Sequence, residues 1–226
     1  MATQETAKAG SAPTAQTTGA AAPKKKAATA SKTASRTEPK TPARKKPQQR
    51  VPEASREGLL YKFFLDALKD MYFAEKQILG GLQKMEKAAT TEELQEAFED
   101  HYLMTQKQIL RLEKVFRILD EKAEGEKCEA ILGILKEAES IIKETEEGSM
   151  TRDAALIIAA QKVEHYEIAT YGGLVALAET LGLERAADLL DKTLQEEEDT
   201  DLHLTEIAET SINFEALEED EDDEEA

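Results

Sequence analysis

Cysteine, tryptophan and long apolar runs are what this chain of 226 residues has least of. The single cysteine, Cys128, excludes an intrachain disulfide and a cysteine-built zinc site. No proline follows Pro52, so nothing beyond it interrupts a helix by removing a backbone donor. The longest purely apolar run, Ala154 to Ala160, is seven residues, far below the roughly 20 that a membrane-spanning helix needs. The N-terminus has no apolar stretch of signal-peptide length. The expectation is a protein with no membrane contact in a reducing, cytoplasmic compartment. Aromatics are 5% of the chain, and no Gly-rich phosphate loop, nucleophile elbow or Ser/His/Asp set occurs.

Charge is abundant and segregated. Residues 1–56 are rich in Ala, Thr, Ser, Pro and Lys and carry twelve Lys/Arg against three Glu. With so little to bury, this segment is expected to be a disordered basic tail. The total charge is −18, so the other 170 residues carry −27. Glu215 to Glu225 holds nine acids and no base, which predicts a disordered acidic tail over 211–226. The tails can serve solubility alone. Alternatively Lys24, Lys25, Lys26, Arg44, Lys45 and Lys46 can grip nucleic acid or another polyanion through counterion release.

Between the tails, 57–210 is dominated by Leu, Ala, Glu and Lys, the good helix formers. The pattern predicts helices over 57–88, 92–121, 127–146, one opening at Thr151 with Ala154 and running to 181, and one over 184–210. Thr91 is a cap for the second, with Glu92 and Glu93 suited to its first turn. Breaks fall at Gly125, at Gly148-Ser149 and at Leu181-Gly182-Leu183. Short loops make two antiparallel hairpins, and the shorter third helix can be the crossover between them. The fold class is therefore all-α, a four-helix bundle with an added crossover helix.

Stepping by three and four residues along each long helix gives a core seam. The seams are Phe64, Leu68, Met71, Glu75, Ile78, Leu82; then Leu94, Phe98, His101, Thr105, Gln108, Leu112. They continue as Ala160, Glu164, Glu167, Tyr171, Leu174, Ala178; and Leu190, Leu194, Glu197, Asp201, Leu204, Ala208. Each is interrupted near its middle by carboxylates or a histidine. Unpaired buried carboxylates are costly, and several at similar depth call for a common partner. A pair of divalent metal ions satisfies them, with Glu75, His101, Glu164, Glu167, Glu197 and Asp201 as ligands. Tyr72 and Tyr171 lie within a turn of these, and Thr105 follows His101 by four; all three are candidates for support behind the ligands. The competing reading is ordinary: in a chain that is 34% charged, a single helical Glu usually faces water, and a lone His on an apolar stripe is usually core. His165 and His203 fall off the seams, and Cys128 opens the crossover helix, so none is read as a ligand.

Three runs carry a resemblance. Leu65–Gln77 (LDALKDMYFAEKQ), Ala159–Gly172 (AAQKVEHYEIATYG) and Leu194–Asp201 (LQEEEDTD) are similar to segments of the YciE/YciF family of ferritin-like bacterial stress proteins. The resemblance spans about 57–210. It implies a ferritin-like bundle, a dinuclear iron or manganese centre, frequent homodimerisation and the same six ligand positions. Glu75 and Glu164 are then terminal or bridging carboxylates, His101 the nitrogen donor, and Glu167, Glu197 and Asp201 the remaining oxygen ligands. One departure stands out: where the family reads His-Leu-Glu-Glu-Thr, this chain reads His101-Tyr102-Leu103-Met104-Thr105. A thioether is a poor ligand for Fe(II) or Mn(II). The functional expectation is a stress protein oxidising Fe(II) with peroxide or O₂, a ferroxidase- or peroxidase-like activity. The alternative is a non-catalytic bundle with a degenerate metal site, working through its basic arm.

Overall fold

The computed structural model describes residues 56–225. Its helices are α1 (Leu59–Ala88), α2 (Glu92–Leu119), α3 (Glu129–Glu144), α4 (Met150–Thr180), α5 (Glu184–Ile207) and α6 (Asn213–Glu225), with a π-helical turn at Ala208–Ile212 joining the last two. Residues 1–55, including the basic Lys24–Lys26 and Arg44–Lys46 runs, lie outside the described residues. Arg56 already belongs to the body: its guanidinium donates to the Leu119 carbonyl at the end of α2 and faces Glu121.

Side-chain caps open α2 and α4. Thr91 caps α2 by accepting from the Leu94 amide at 3.4 Å, as its position predicts. The opening of α4 differs from the expectation at Thr151: Ser149 is the cap, accepting from the Arg152 amide at 3.1 Å. α4 and α2, which finish at the same end of the bundle, use left-handed residues as stops. Gly182 has φ +70°, and Leu183 and Gly182 donate back to Ala178 and Glu179 at 2.8 and 2.9 Å. Asp120 does the same for α2 at φ 59°, which ends that helix two residues before the expected 121.

α1 packs on α2 and α4, α2 on α5, and α4 on α5, closing a four-helix ring. α3 lies outside the ring against α1 and α4, as the crossover expected between the hairpins. Gly81 permits its close approach: a Cβ there would sit 2.5 Å from Leu135 Cδ2. Arg152 ties the crossover down by donating to the Ile142 and Thr145 carbonyls, the last free acceptors of α3. No described helix is long and apolar enough to cross a membrane.

The acidic segment departs from the expectation of disorder. The chain continues as helix through Asn213–Glu225, packed on α4. Its anchor is distant in sequence: Glu219 accepts from the Met150 and Thr151 amides at 3.0 and 3.2 Å, placing a carboxylate at the positive end of α4. The π turn lets Ile207 and Ile212, five residues apart, both bury against the core.

Asp153 joins the two hairpins. Fully buried, it accepts from the Thr90 and Thr91 amides at 2.7 and 2.8 Å and from the Thr91 hydroxyl at 2.8 Å. Asp153→Ala strands those donors. The expected result is a loss of about 3 kcal/mol, read as a lower midpoint in urea at an unchanged slope.

Candidate metal centre

The polar residues predicted at mid-helix are buried together. Glu75, Glu164, Glu167 and Glu197 are each at most 1% exposed, and His101 is 4% exposed. Within this group His101, Glu164, Glu167 and Glu197 each place a donor atom within 4.8 Å of the others. Donors sharing one ion at roughly 2.0–2.2 Å are about 3–4 Å apart, so these four can hold a metal ion after a small contraction.

The histidine is presented as a ligand. Burial lowers its pKa to about 4, so the ring is neutral at pH 7. Thr200 Oγ1 donates to the Glu196 carbonyl at 3.0 Å, and His101 Nδ1 lies 3.4 Å from that Thr200 hydroxyl. This arrangement assigns the ring proton to Nδ1 and leaves the Nε2 lone pair inward. There it faces Glu164 Oε1 at 3.2 Å and Glu197 Oε2 at 3.7 Å.

The carboxyls are destabilised as anions. Burial, then the charge of Glu197, raises Glu75, Glu164 and Glu167 well above the usual range. Burial pushes Glu197 up to about 7, against the opposing hydrogen bonds from Glu164 and Gln108. Among the described residues, the buried side-chain nitrogens and oxygens without a hydrogen-bond partner belong to Glu75, His101, Gln108, Glu164, Glu167, Glu197 and Asp201. Such orphans are rare in folded proteins. Four of them, His101, Glu164, Glu167 and Glu197, are gathered at one place, where a cation could take the lone pairs in place of the carboxyl protons.

Each expected residue can now be placed. Glu75 interacts electrostatically with this group, and the Tyr171 hydroxyl donates to its Oε1. Asp201 stands at the margin: it is half-buried and engages the exposed His165 at 3.2 Å, with its Oδ1 free of any hydrogen bond. Thr105 donates to the His101 carbonyl at 2.9 Å, bracing the backbone rather than a ligand. Tyr72 does not support the site. Its hydroxyl donates to Glu113 at 3.1 Å and its ring packs edge-on against Phe116. The seam on α5 also shifts. Leu194 and Ala208 are only half-buried, while Thr193 and Ile207 point inward.

Two positioning residues escaped the sequence reading. The Gln108 amide donates to Glu197 Oε1, and Arg111 forks onto Glu196 at 2.6 and 2.7 Å while reaching the Thr193 hydroxyl. Gln108 was visible as a polar residue in the α2 seam. Arg111, one turn on, carried no signal without its partner on α5.

The chain is similar to proteins of one family. The family described as a domain of unknown function, DUF892, matches residues 60–217. The Escherichia coli K12 protein YciF is 46% identical over 154 residues, covering 68% of this chain and 92% of YciF. The crystal structure of the E. coli stress protein YciF superposes with a TM-score of 0.65 at 45% identity, over 68% of this chain and 97% of that one. YcfI, a putative structural protein from Rhodopseudomonas palustris, gives a TM-score of 0.64 at 40% identity, over 66% of this chain and 94% of its own. With a family match across most of its length and a relative of this identity, the chain belongs to the DUF892 family, that of YciF.

Proposed function

We propose that this protein is a ferritin-like redox protein of the stress response, binding two divalent ions per chain. Iron is the first choice and manganese the second. The observation that carries the reading is the convergence of buried donor atoms from three helices, on His101, Glu164, Glu167 and Glu197, with the buried Glu75 of α1 interacting electrostatically with them. Six donors from Glu75, His101, Glu164, Glu167, Glu197 and Asp201 suit two ions better than one. Such a centre supplies one-electron chemistry, Fe(II) to Fe(III), with peroxide or O₂ as electron acceptor. The chain's own contribution is to hold His101 neutral, to orient Glu197 through Gln108 and Glu75 through Tyr171, and to exclude bulk water from the carboxyls. Met104, half-buried on the face of α2 beside His101, contributes no oxygen ligand.

Metal content per chain tests this directly. Protein reconstituted with Fe(II) and desalted is expected to retain two ions per chain, and Glu164→Ala/Glu167→Ala none. Near-zero metal in the unmodified protein would overturn the reading. Retention of a single ion, rising to two in Met104→Glu, would restrict it to a centre that the methionine has half emptied.

A further inference from the structure

One cleft reaches the buried centre. It runs between α2 and α5, encloses about 440 Å³, and has His101 and Glu164 in its wall. Both residues are buried, and His101 Nε2 and Glu164 Oε2 have no hydrogen-bond partner. The rim is acidic on both helices. Glu93, Glu96 and Asp100 recur at three- and four-residue steps on one face of α2, and Asp199 faces them from α5. All four are exposed, and none forms an ion pair among the described residues. Glu196 also lines the cleft, but Arg111 neutralises it. No lysine or arginine lines this cleft. A second cleft, between α1 and α3, is lined instead by Lys76, Lys84 and Lys136, and touches none of the buried acids.

We infer that the α2–α5 cleft is the entrance for divalent cations, with Glu93, Glu96, Asp100 and Asp199 as the gathering residues that lead a hydrated ion to His101 and Glu164. The inference rests on the metal-binding reading above. Space suffices: six waters at about 30 Å³ each need about 180 Å³, well below the volume of the cleft. Like charges lining a cleft with low-dielectric walls focus the field and raise the local cation concentration, which accelerates capture by tenfold or more at low salt. The ion must shed water before reaching ligands that burial has closed off. The acids at the rim hold it loosely while Thr200, at the throat, keeps the His101 lone pair inward.

Stopped-flow uptake of Co(II) by the metal-free full chain tests the route, read from the absorption of the bound ion. Glu93→Gln/Glu96→Gln/Asp100→Asn/Asp199→Asn is expected to slow uptake about tenfold at low salt and to flatten its dependence on ionic strength. Final stoichiometry and melting temperature should stay unchanged. Neutralising four acids on α3 (Glu129, Glu137, Glu139 and Glu144) provides the control and should alter the rate less than twofold. Ala97→Phe, which narrows the cleft without altering charge, should slow uptake at every salt concentration. Equal rates in the rim variant and in the unmodified protein, at full stoichiometry, would overturn the route and leave the metal centre standing. Equal slowing by the α3 control would overturn it too, since net charge rather than the cleft would be responsible. Absence of Co(II) uptake by the unmodified protein would overturn the metal reading and the route together.

Discussion

Glu167→Leu is expected to make the metal-free protein more stable while abolishing metal retention. Most substitutions in a packed interior destabilise, so the sign is diagnostic. Glu167 is 1% exposed, and neither of its carboxyl oxygens has a hydrogen-bond partner. Its neighbours are the carboxyls of Glu75, Glu164 and Glu197, which raise its pKa further after burial itself. The metal-free fold therefore carries an unsatisfied polar group that it would shed if stability were the only demand. Replacing it with an apolar side chain of similar volume removes the desolvation cost and the repulsion together. Buried ionic groups exchanged for well-packed apolar ones gain about 1–4 kcal/mol, or a melting temperature higher by roughly 2–16 °C in a domain of this size. Calorimetric melts of the two metal-free proteins, with metal content measured in parallel, give the answer. A lower melting temperature in Glu167→Leu would mean that the glutamate has partners in the folded state, and that the cluster is a structural network after all.

The same physics explains what could be read from the sequence. A buried carboxylate is improbable at any one position, so four seams interrupted at similar depth are informative in a way that Glu75 alone is not. The seams on α1, α2 and α4 were legible because apolar residues flank the polar ones by full turns: Leu68 and Ile78 around Glu75, Ala160 and Leu174 around Glu164 and Tyr171. On α5 the pattern was weaker. Leu194 and Asp201 share the expected stripe with Glu197, yet the helix turns so that Thr193 is buried and Asp201 meets the surface His165. Only the packing of α5 against α2 and α4 decides that rotation, and no local spacing encodes it. The acidic helix α6 failed for the same reason. Nine acids in sequence repel one another locally, but Glu219 finds the amino end of α4, sixty-nine residues away. Tyr72 and Glu75, three residues apart, lie only about 60° apart round α1, so spacing alone suggests a shared face, but the Tyr72 hydroxyl is taken by Glu113 of α2.

A second large effect should appear in the pH dependence of the metal-free protein, where stability is expected to fall as pH rises from 6.5 to 8. A carboxyl whose pKa is raised on folding keeps a proton that the unfolded chain has released. In that interval the native state binds more protons, so raising the pH favours unfolding. For Glu197 the interval runs from the ordinary 4.5 to about 7, so above pH 6.5 it contributes less than about 1 kcal/mol of the decline at about 1.4 kcal/mol per pH unit. Glu75, Glu164 and Glu167 are raised well above 4.5 by burial and by one another, which carries the decline further. His101 works in the opposite direction. Its pKa falls from 6.5 to about 4, so it adds stability as pH rises between those values and nothing above them. Above pH 6.5 the carboxyls therefore act unopposed. Metal should reverse the slope, because cations displace these protons and bind more tightly as pH rises. Melts at pH 6.5, 7.25 and 8 are expected to show the metal-free midpoint dropping by several degrees and the Mn(II)-loaded midpoint holding or climbing. Proton release on Mn(II) addition, titrated in weak buffer, should be largest at the acidic end of the range. A metal-free midpoint that stays flat would show that the carboxyls are already ionised and compensated in the folded protein, and the cation would then have no protons to displace.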